Sequence, residues 1–127
     1  WKTVGMPAEA ANAIDGDPQT VWTAKALTPL VVDMGKASEV IGFSYAPAQK
    51  EDLTGTIYKY NFYVSIDGKN WTKCDAGVEF SNIMHNPVPY FVRFGKKYPA
   101  RYFKLEPVAE INNKPATTVG EVGILLK

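Results

Sequence analysis

Residues 57–67 constrain the fold of this chain more than any other stretch. Tyr58, Tyr60, Phe62, Val64 and Ile66 alternate with Lys59, Asn61, Tyr63, Ser65 and Asp67. A period of two puts each set on its own face of an extended strand, so this is a β-strand with one buried side. The first set is expected to point into a core, with Lys59, Asn61 and Tyr63 facing outward or towards an edge. Asp67-Gly68 follows, the chemistry of a tight hairpin turn, and Asn70-Trp71-Thr72-Lys73 begins a return strand. Further strand candidates are 30–34, 40–45, 89–94, 101–107 and 119–126, while the single helix candidate is a turn or two around Ala8–Ala13. Short strands separated by Gly and Pro point to an antiparallel sandwich or barrel. The chain reads as all-β.

Composition narrows the possibilities further. The 127 residues suffice for one domain spanning 1–127 and are too few for two. Apolar residues make up 46% and charged ones 21%, which excludes a disordered chain. Lys and Arg number 14 against 13 Asp and Glu, so no net field recruits nucleic acid or an anionic membrane. No apolar run is long enough to span a bilayer. A single cysteine, Cys74, rules out an internal disulfide. The opening Trp1-Lys2-Thr3-Val4 is strand-like and has no leader character, which suggests a domain cut from something larger.

Polar chemistry concentrates in residues 11–22, where Asn12, Asp15, Asp17 and Thr20 lie between apolar Ile14 and Trp22. Gly16 and Pro18 force a turn between and after the two acids, gathering oxygens as a hard cation such as calcium requires. This is not an EF-hand: with Asp15 at loop position 1, the bidentate Glu of position 12 falls on Ala26. The missing oxygens must come from elsewhere. Stretches 23–29, 46–56 and 112–118 lack a strand pattern, with 79–87 a fourth, and are expected to be surface loops carrying function.

Catalytic constellations do not emerge. Cys74 and His85 have no third orienting group, and Glu51, Asp52, Glu79 and Glu110 show no spacing that predicts a facing carboxylate pair. Trp1, Trp22 and Trp71 are expected in the core, and Asn70-Trp71-Thr72 forms a glycosylation sequon that reads as hairpin sequence.

Seven segments occur in an order that resembles the discoidin, or coagulation factor 5/8 type C, domain. They are Asn12-Ala13-Ile14-Asp15-Gly16-Asp17-Pro18 with Thr20 and Trp22; Val32-Asp33-Met34-Gly35; Ile41-Gly42-Phe43 with Tyr45 and Pro47; Gly55, Ile57 and Tyr60; Val64-Ser65 with Asp67-Gly68 and Asn70-Trp71; Ala100-Arg101-Tyr102-Phe103-Lys104-Leu105; and Gly120-Glu121-Val122. Among subfamilies the chain is most similar to bacterial carbohydrate-binding modules of family 32. The resemblance implies an antiparallel β-sandwich of jelly-roll type with a structural calcium. Its ligands would be oxygens of Asp15, Asp17 and Thr20, the carbonyls of Asn12 and Gly120, and the carboxylate of Glu121.

The sugar site departs from the family pattern. Galactose-binding members carry Trp-His-Thr and Pro-Arg-Gln where this chain has Trp22-Thr23-Ala24 and Pro47-Ala48-Gln49, so both charged donors are absent. No aromatic stands in Asn112-Asn113-Lys114-Pro115. The resemblance places a glycan across the loop tips, with Thr23, Lys25, Gln49, Lys50, Asp52, Asn112 and Asn113 as expected ligand-binding residues; Glu51 and Asn82 are further polar side chains there. The expectation is a non-catalytic accessory module of an extracytoplasmic glycoside hydrolase, joined to a catalytic domain in one polypeptide. Its rivals are a protein- or membrane-adhesion domain with apolar tips at Leu27, Leu53 and Ile83-Met84, and a ligand-free spacer.

Overall fold

The computed structural model describes residues 1–17, 20–48, 52–80, 83 and 88–127. Eight strands follow in order: β1 (Lys2–Thr3), β2 (Trp22–Ala24), β3 (Leu30–Ala46), β4 (Ile57–Ser65), β5 (Thr72–Glu79), β6 (Tyr90–Glu110), β7 (Thr117–Val119) and β8 (Glu121–Leu126). Among the described residues a single 3₁₀ segment, Ala8–Ala13, sits where the helix candidate is expected. The six-stranded sheet runs β1-β3-β6-β4-β5 with β8 also on β3, and β2 pairs with β7 in a separate ladder. All the strand pairs are antiparallel.

Two strands are far longer than the sequence pattern suggests. The candidates 30–34 and 40–45 are halves of the 17-residue β3, and 89–94 and 101–107 are halves of the 21-residue β6. The register between β3 and β6 shifts twice, and Gly35 and Gly95 lie in the shifted stretches at φ +90° and +83°. Only glycine takes such angles without strain, so each strand bends there and crosses from one layer to the other. One layer is β8 with the second half of β3 and the first half of β6. The other is β1, the first half of β3, the second half of β6, β4 and β5. Together they form the antiparallel sandwich.

An aromatic stack fills the space between the layers. Phe43 of β3 stacks on Phe62 of β4 with ring centroids 4.2 Å apart, and Phe62 continues onto Phe103 at 5.7 Å. Phe80 stacks on both Tyr60 and Tyr45. Each fully buried ring stabilises the fold by about 1.5–3 kcal/mol through area removed from water alone. Tyr45 is buried with its hydroxyl satisfied, donating to the Thr118 carbonyl and accepting from the Ile57 N–H.

The alternation of residues 57–67 holds for Tyr60, Phe62 and Val64, all buried, and Tyr58 packs partly buried against the same cluster. It fails at Ile66, which is 57% exposed. The strand ends at Ser65 because Asp67 captures the chain: its carboxylate accepts from the N–H groups of Lys69 and Asn70 and from the Ser65 hydroxyl. These bonds hold the Asp67 carboxyl well below the usual range. The connection between β4 and β5 is therefore longer than the two-residue turn that Asp67-Gly68 suggests. Of the three tryptophans expected in the core, only Trp22 is there. Trp1 is 55% exposed, its edge against Phe103. Trp71 is half-buried on the outer face under the Lys104 ammonium, 4.6 Å from its ring.

Candidate functional site

The turn chemistry of residues 12–20 gathers oxygen atoms around one hydroxyl. Thr20 Oγ1 lies 3.4 Å from the Asn12 carbonyl and 3.0 Å from that of Asp17, and it also contacts Asp15 Oδ2. A hydroxyl has one proton to donate, so this cluster holds more acceptors than hydrogens. Asp15 is braced by the Asp17 N–H at 2.9 Å, and the Thr20 and Asp17 bonds lower its pKa. Across the sequence, 105 residues away, both carboxylate oxygens of Glu121 accept from the Gly16 N–H at 3.2 Å. Burial pushes the Glu121 carboxyl up to about 7, the Gly16 bond opposes this, and the charges of Asp15 and Asp17 add to the rise. Gly120 is anchored by its N–H on the Ala46 carbonyl, and a Cβ there would meet that oxygen at 2.8 Å.

The donor set thus suits a hard cation: oxygen only, rich in negative charge and short of protons. Among the described residues no three His, Cys, Asp or Glu side chains cluster as a metal site. A cation here would take a large share of its ligands from carbonyls and the Thr20 hydroxyl.

At the same end, three loops are tied together by residues that the sequence did not single out as site residues. Glu110, 2% exposed at the end of β6, accepts from the Gly55 N–H at 2.9 Å, from the Asn112 N–H and from the Lys114 N–H at 3.1 Å. Its carboxylate therefore braces the loop before β4 against the loop before β7. Thr117 accepts from the Thr28 N–H and donates to the Ala26 carbonyl, fixing the loop after β2. Thr118 donates its hydroxyl to the Thr54 carbonyl and its N–H to Gly55. The sequence offers Glu110 as one of four carboxylates with no facing partner, and its burial and three amide partners likewise oppose a hydrolytic role.

The expected ligand-binding residues separate into distinct surfaces. Thr23, expected in a loop, lies instead in β2, paired with Thr118, because Trp22 and Ala24 pair with Val119 and Thr117. It lines a hollow of about 570 Å³ with Pro7, Glu9, Asn12 and Trp22. Asn113 lines a different one of about 390 Å³, with Leu27, Lys114 and Pro115. Lys25, Asp52 and Asn112 are exposed and line neither. Asp52 accepts from the Thr54 N–H at 2.9 Å and feels the Lys114 charge. Gln49, Lys50, Glu51, Asn82, Met84 and His85 lie outside the described residues. Cys74 is half-buried in β5, and burial pushes its thiol up to about 12, far from the thiolate a nucleophile needs.

Comparisons with known proteins agree with this architecture. The chain is 28% identical to a galactose oxidase from Gibberella zeae over an alignment of 144 residues, covering 98% of this chain and 19% of that protein. It spans about a fifth of the length of the curated relatives it matches. Its fold superposes on CBM32-3 from a family 31 glycoside hydrolase of Clostridium perfringens with a TM-score of 0.83, at 21% identity, covering 96% of this chain and 85% of that one. A pectin binding carbohydrate binding module gives 0.77 at 24% identity, covering 97% and 86%. Residues 2–122 match the F5/8 type C domain, and with the long bent strands, the loop end braced by Glu110 and the Asp15–Glu121 contact in view, the chain belongs to that family.

Proposed function

We propose that this domain is a non-catalytic carbohydrate-binding module that holds a glycan at its loop end, beside a structural calcium. The observation that carries the reading is the convergence of three loops on Glu110, Thr117 and Thr118, which gives exposed Asn112, Asn113 and Lys114 a rigid base. The hollow beside them offers Leu27 as an apolar contact for a sugar ring and Asn113 and Lys114 as donors. Asp15, Asp17, Thr20 and Glu121 would hold the calcium, with the Asn12 and Gly120 carbonyls. The ion would supply the positive charge that these oxygens lack, and it would tie the first loop to β8.

In this reading the module is extracytoplasmic and joined to a carbohydrate-active enzyme, a glycoside hydrolase or a sugar oxidase. No helix among the described residues is long and apolar enough to cross a membrane. Tethering raises the effective concentration of the catalytic domain on its polymer, so a weak site suffices. With no His or Arg at Thr23 and Ala48, free galactose should bind with Kd about 1 mM or weaker, about 4 kcal/mol at most. Among the apolar tips of the adhesion alternative that the structure describes, Ile83 is fully buried and Leu53 packs against the core, while Leu27 is exposed.

The test is a glycan array followed by calorimetric titration with the best neutral hit. Asn112→Ala and Asn113→Ala should each weaken that binding. Silence across the array, or binding indifferent to both changes, would refute the loop-end site.

A further inference from the structure

Arg93, Lys96, Lys97 and Lys127 line one open hollow of about 360 Å³, with Ile41 and Gly95. It lies away from the loops: β8 runs from Glu121 at the loop end to Leu126, beside Lys127, a span of about 17 Å. Among the described residues one side-chain carboxylate pairs with these cations, Glu39, whose Oε2 is 3.7 Å from Lys97 Nζ with both side chains half exposed. Among the described residues Arg93, Lys96 and Lys127 make no ion pair. Four cations facing one acid leave a local excess of positive charge on a chain whose formal net charge is only +1.

An aromatic ring shares this face. Along the first half of β6, Val92 and Phe94 pack against the core while Phe91, Arg93 and Gly95 are exposed. Phe91 and Arg93 therefore project from the same side, about 7 Å apart, and Phe91 is 70% exposed. The strands alongside are low beside Phe91, which pairs with Ser44, itself paired with Gly123; beside Arg93, Gly42 pairs with Leu125, whose side chain lies over it and adds an apolar floor. The result is a shallow track with an apolar ring at one end and a cluster of cations at the other.

We propose that this track binds an acidic polysaccharide, carboxylated or sulfated, at a second site separate from the loop end. A sugar ring would lie against Phe91 through its C–H face, as apolar faces do on aromatics, and its acid groups would meet Arg93 and Lys96. The choice of a sugar polymer among polyanions rests on the carbohydrate-binding reading above. Because the cations are exposed, binding weakens as salt rises.

Affinity electrophoresis tests this with polygalacturonate, fully methyl-esterified polygalacturonate and dextran sulfate in the gel. Duplex DNA and phosphatidylserine vesicles serve as non-sugar polyanions, and thermal melts check that each variant is folded. The native protein should be retarded by polygalacturonate or dextran sulfate, the two outcomes telling carboxylate from sulfate, and should pass freely through the methyl ester. Arg93→Ala combined with Lys96→Ala should weaken binding tenfold or more, Phe91→Ala severalfold, and Asn113→Ala not at all. Equal retardation by the methyl ester, or retention of binding in the double variant, overturns the proposal. So does DNA or vesicle binding as tight as that to polysaccharide and indifferent to Phe91→Ala. Loss of polygalacturonate binding in Asn113→Ala would merge the two sites and remove this one. A native protein that binds polygalacturonate but no neutral glycan would refute the loop-end reading and leave this one standing.

Discussion

Glu110→Ala tests the idea that one buried carboxylate holds the loop end together. Three backbone N–H groups converge on it, from Gly55, Asn112 and Lys114. Gly55 is buried, so its amide loses a charge-assisted bond with no water to replace it, at about 1.5–3 kcal/mol. Asn112 and Lys114 are exposed, and their amides can turn to solvent, so each bond is worth about 0.5–1.5 kcal/mol. The expected loss is about 2.5–6 kcal/mol, a large share of the roughly 5–15 kcal/mol that stabilises a typical domain. Urea unfolding should show a lower midpoint at unchanged slope. Amide hydrogen exchange should speed up at Gly55 and Asn112 before it does at Phe62. Glu110→Gln should recover only part of the loss, since its amide group presents N–H donors to N–H donors. A loss under about 1 kcal/mol, or exchange that rises equally across the core, would refute the brace.

Three further outcomes are expected. Phe62→Ala removes the ring between Phe43 and Phe103 and should cost about 3–5 kcal/mol by chemical denaturation; a cost below that of a surface change would contradict the stacked core. Calcium should raise the melting temperature, since a ligand at a hundredfold excess over Kd adds about 2.7 kcal/mol when it binds only the folded state; Asp15→Ala or Glu121→Ala should remove most of the gain, and identical melts in calcium and chelator would count against an exchangeable ion. For acid, the Arg101 guanidinium, bonded at 2.9 and 3.0 Å, and the Gly35 N–H hold the Asp33 carboxyl down at about 2. A depressed carboxyl contributes stability that is fully present above its unfolded value near 4 and lost as pH falls towards 2, so Arg101→Met should flatten the stability profile in that window; unchanged profiles would show the pair to be inert.

What the sequence could show depended on whether a residue's partner lay near it in the chain. Tyr60, Phe62 and Val64 were legible because alternation is local and the face they share is the core. Ile66 was not, since the bonds that end the strand come from Asp67 and its successors and override the pattern. The bends of β3 and β6 were hidden because a bulge at Gly35 or Gly95 interrupts periodicity just as a loop does, so one strand read as two. Trp1 and Trp71 share the composition of a core residue, but nothing local records that one lies on an edge and the other on the outer face. The oxygen-rich turn at Asp15 was readable from Gly and Pro spacing, and resemblance supplied Glu121, which the structure brings to Gly16. The bracing roles of Glu110, Thr117 and Thr118 were not legible because Thr117 and Thr118 meet groups 91 and 64 residues away, and the Gly55 that Glu110 ties to its neighbours Asn112 and Lys114 is 55 residues distant. A signal for them existed in their type, since an acid and two hydroxyls flanking an expected loop are the side chains that cap loop amides and carbonyls.

The ladder between β2 and β7 also sets an order in time. Thr117 and Ala26 stand 91 residues apart in the chain, and a ladder of two three-residue strands makes few contacts to offset closing that loop, so it is expected to form after the larger sheet has folded the intervening segments back. Assembly is then expected to proceed from the aromatic centre outward, with the loop end completed last. Trp22, buried only when β2 docks, is the natural clock: its fluorescence should change in a later refolding phase than probes placed beside Phe62. A nascent or partly unfolded copy would thus hold its stacked interior while still lacking the loop end proposed to hold a sugar.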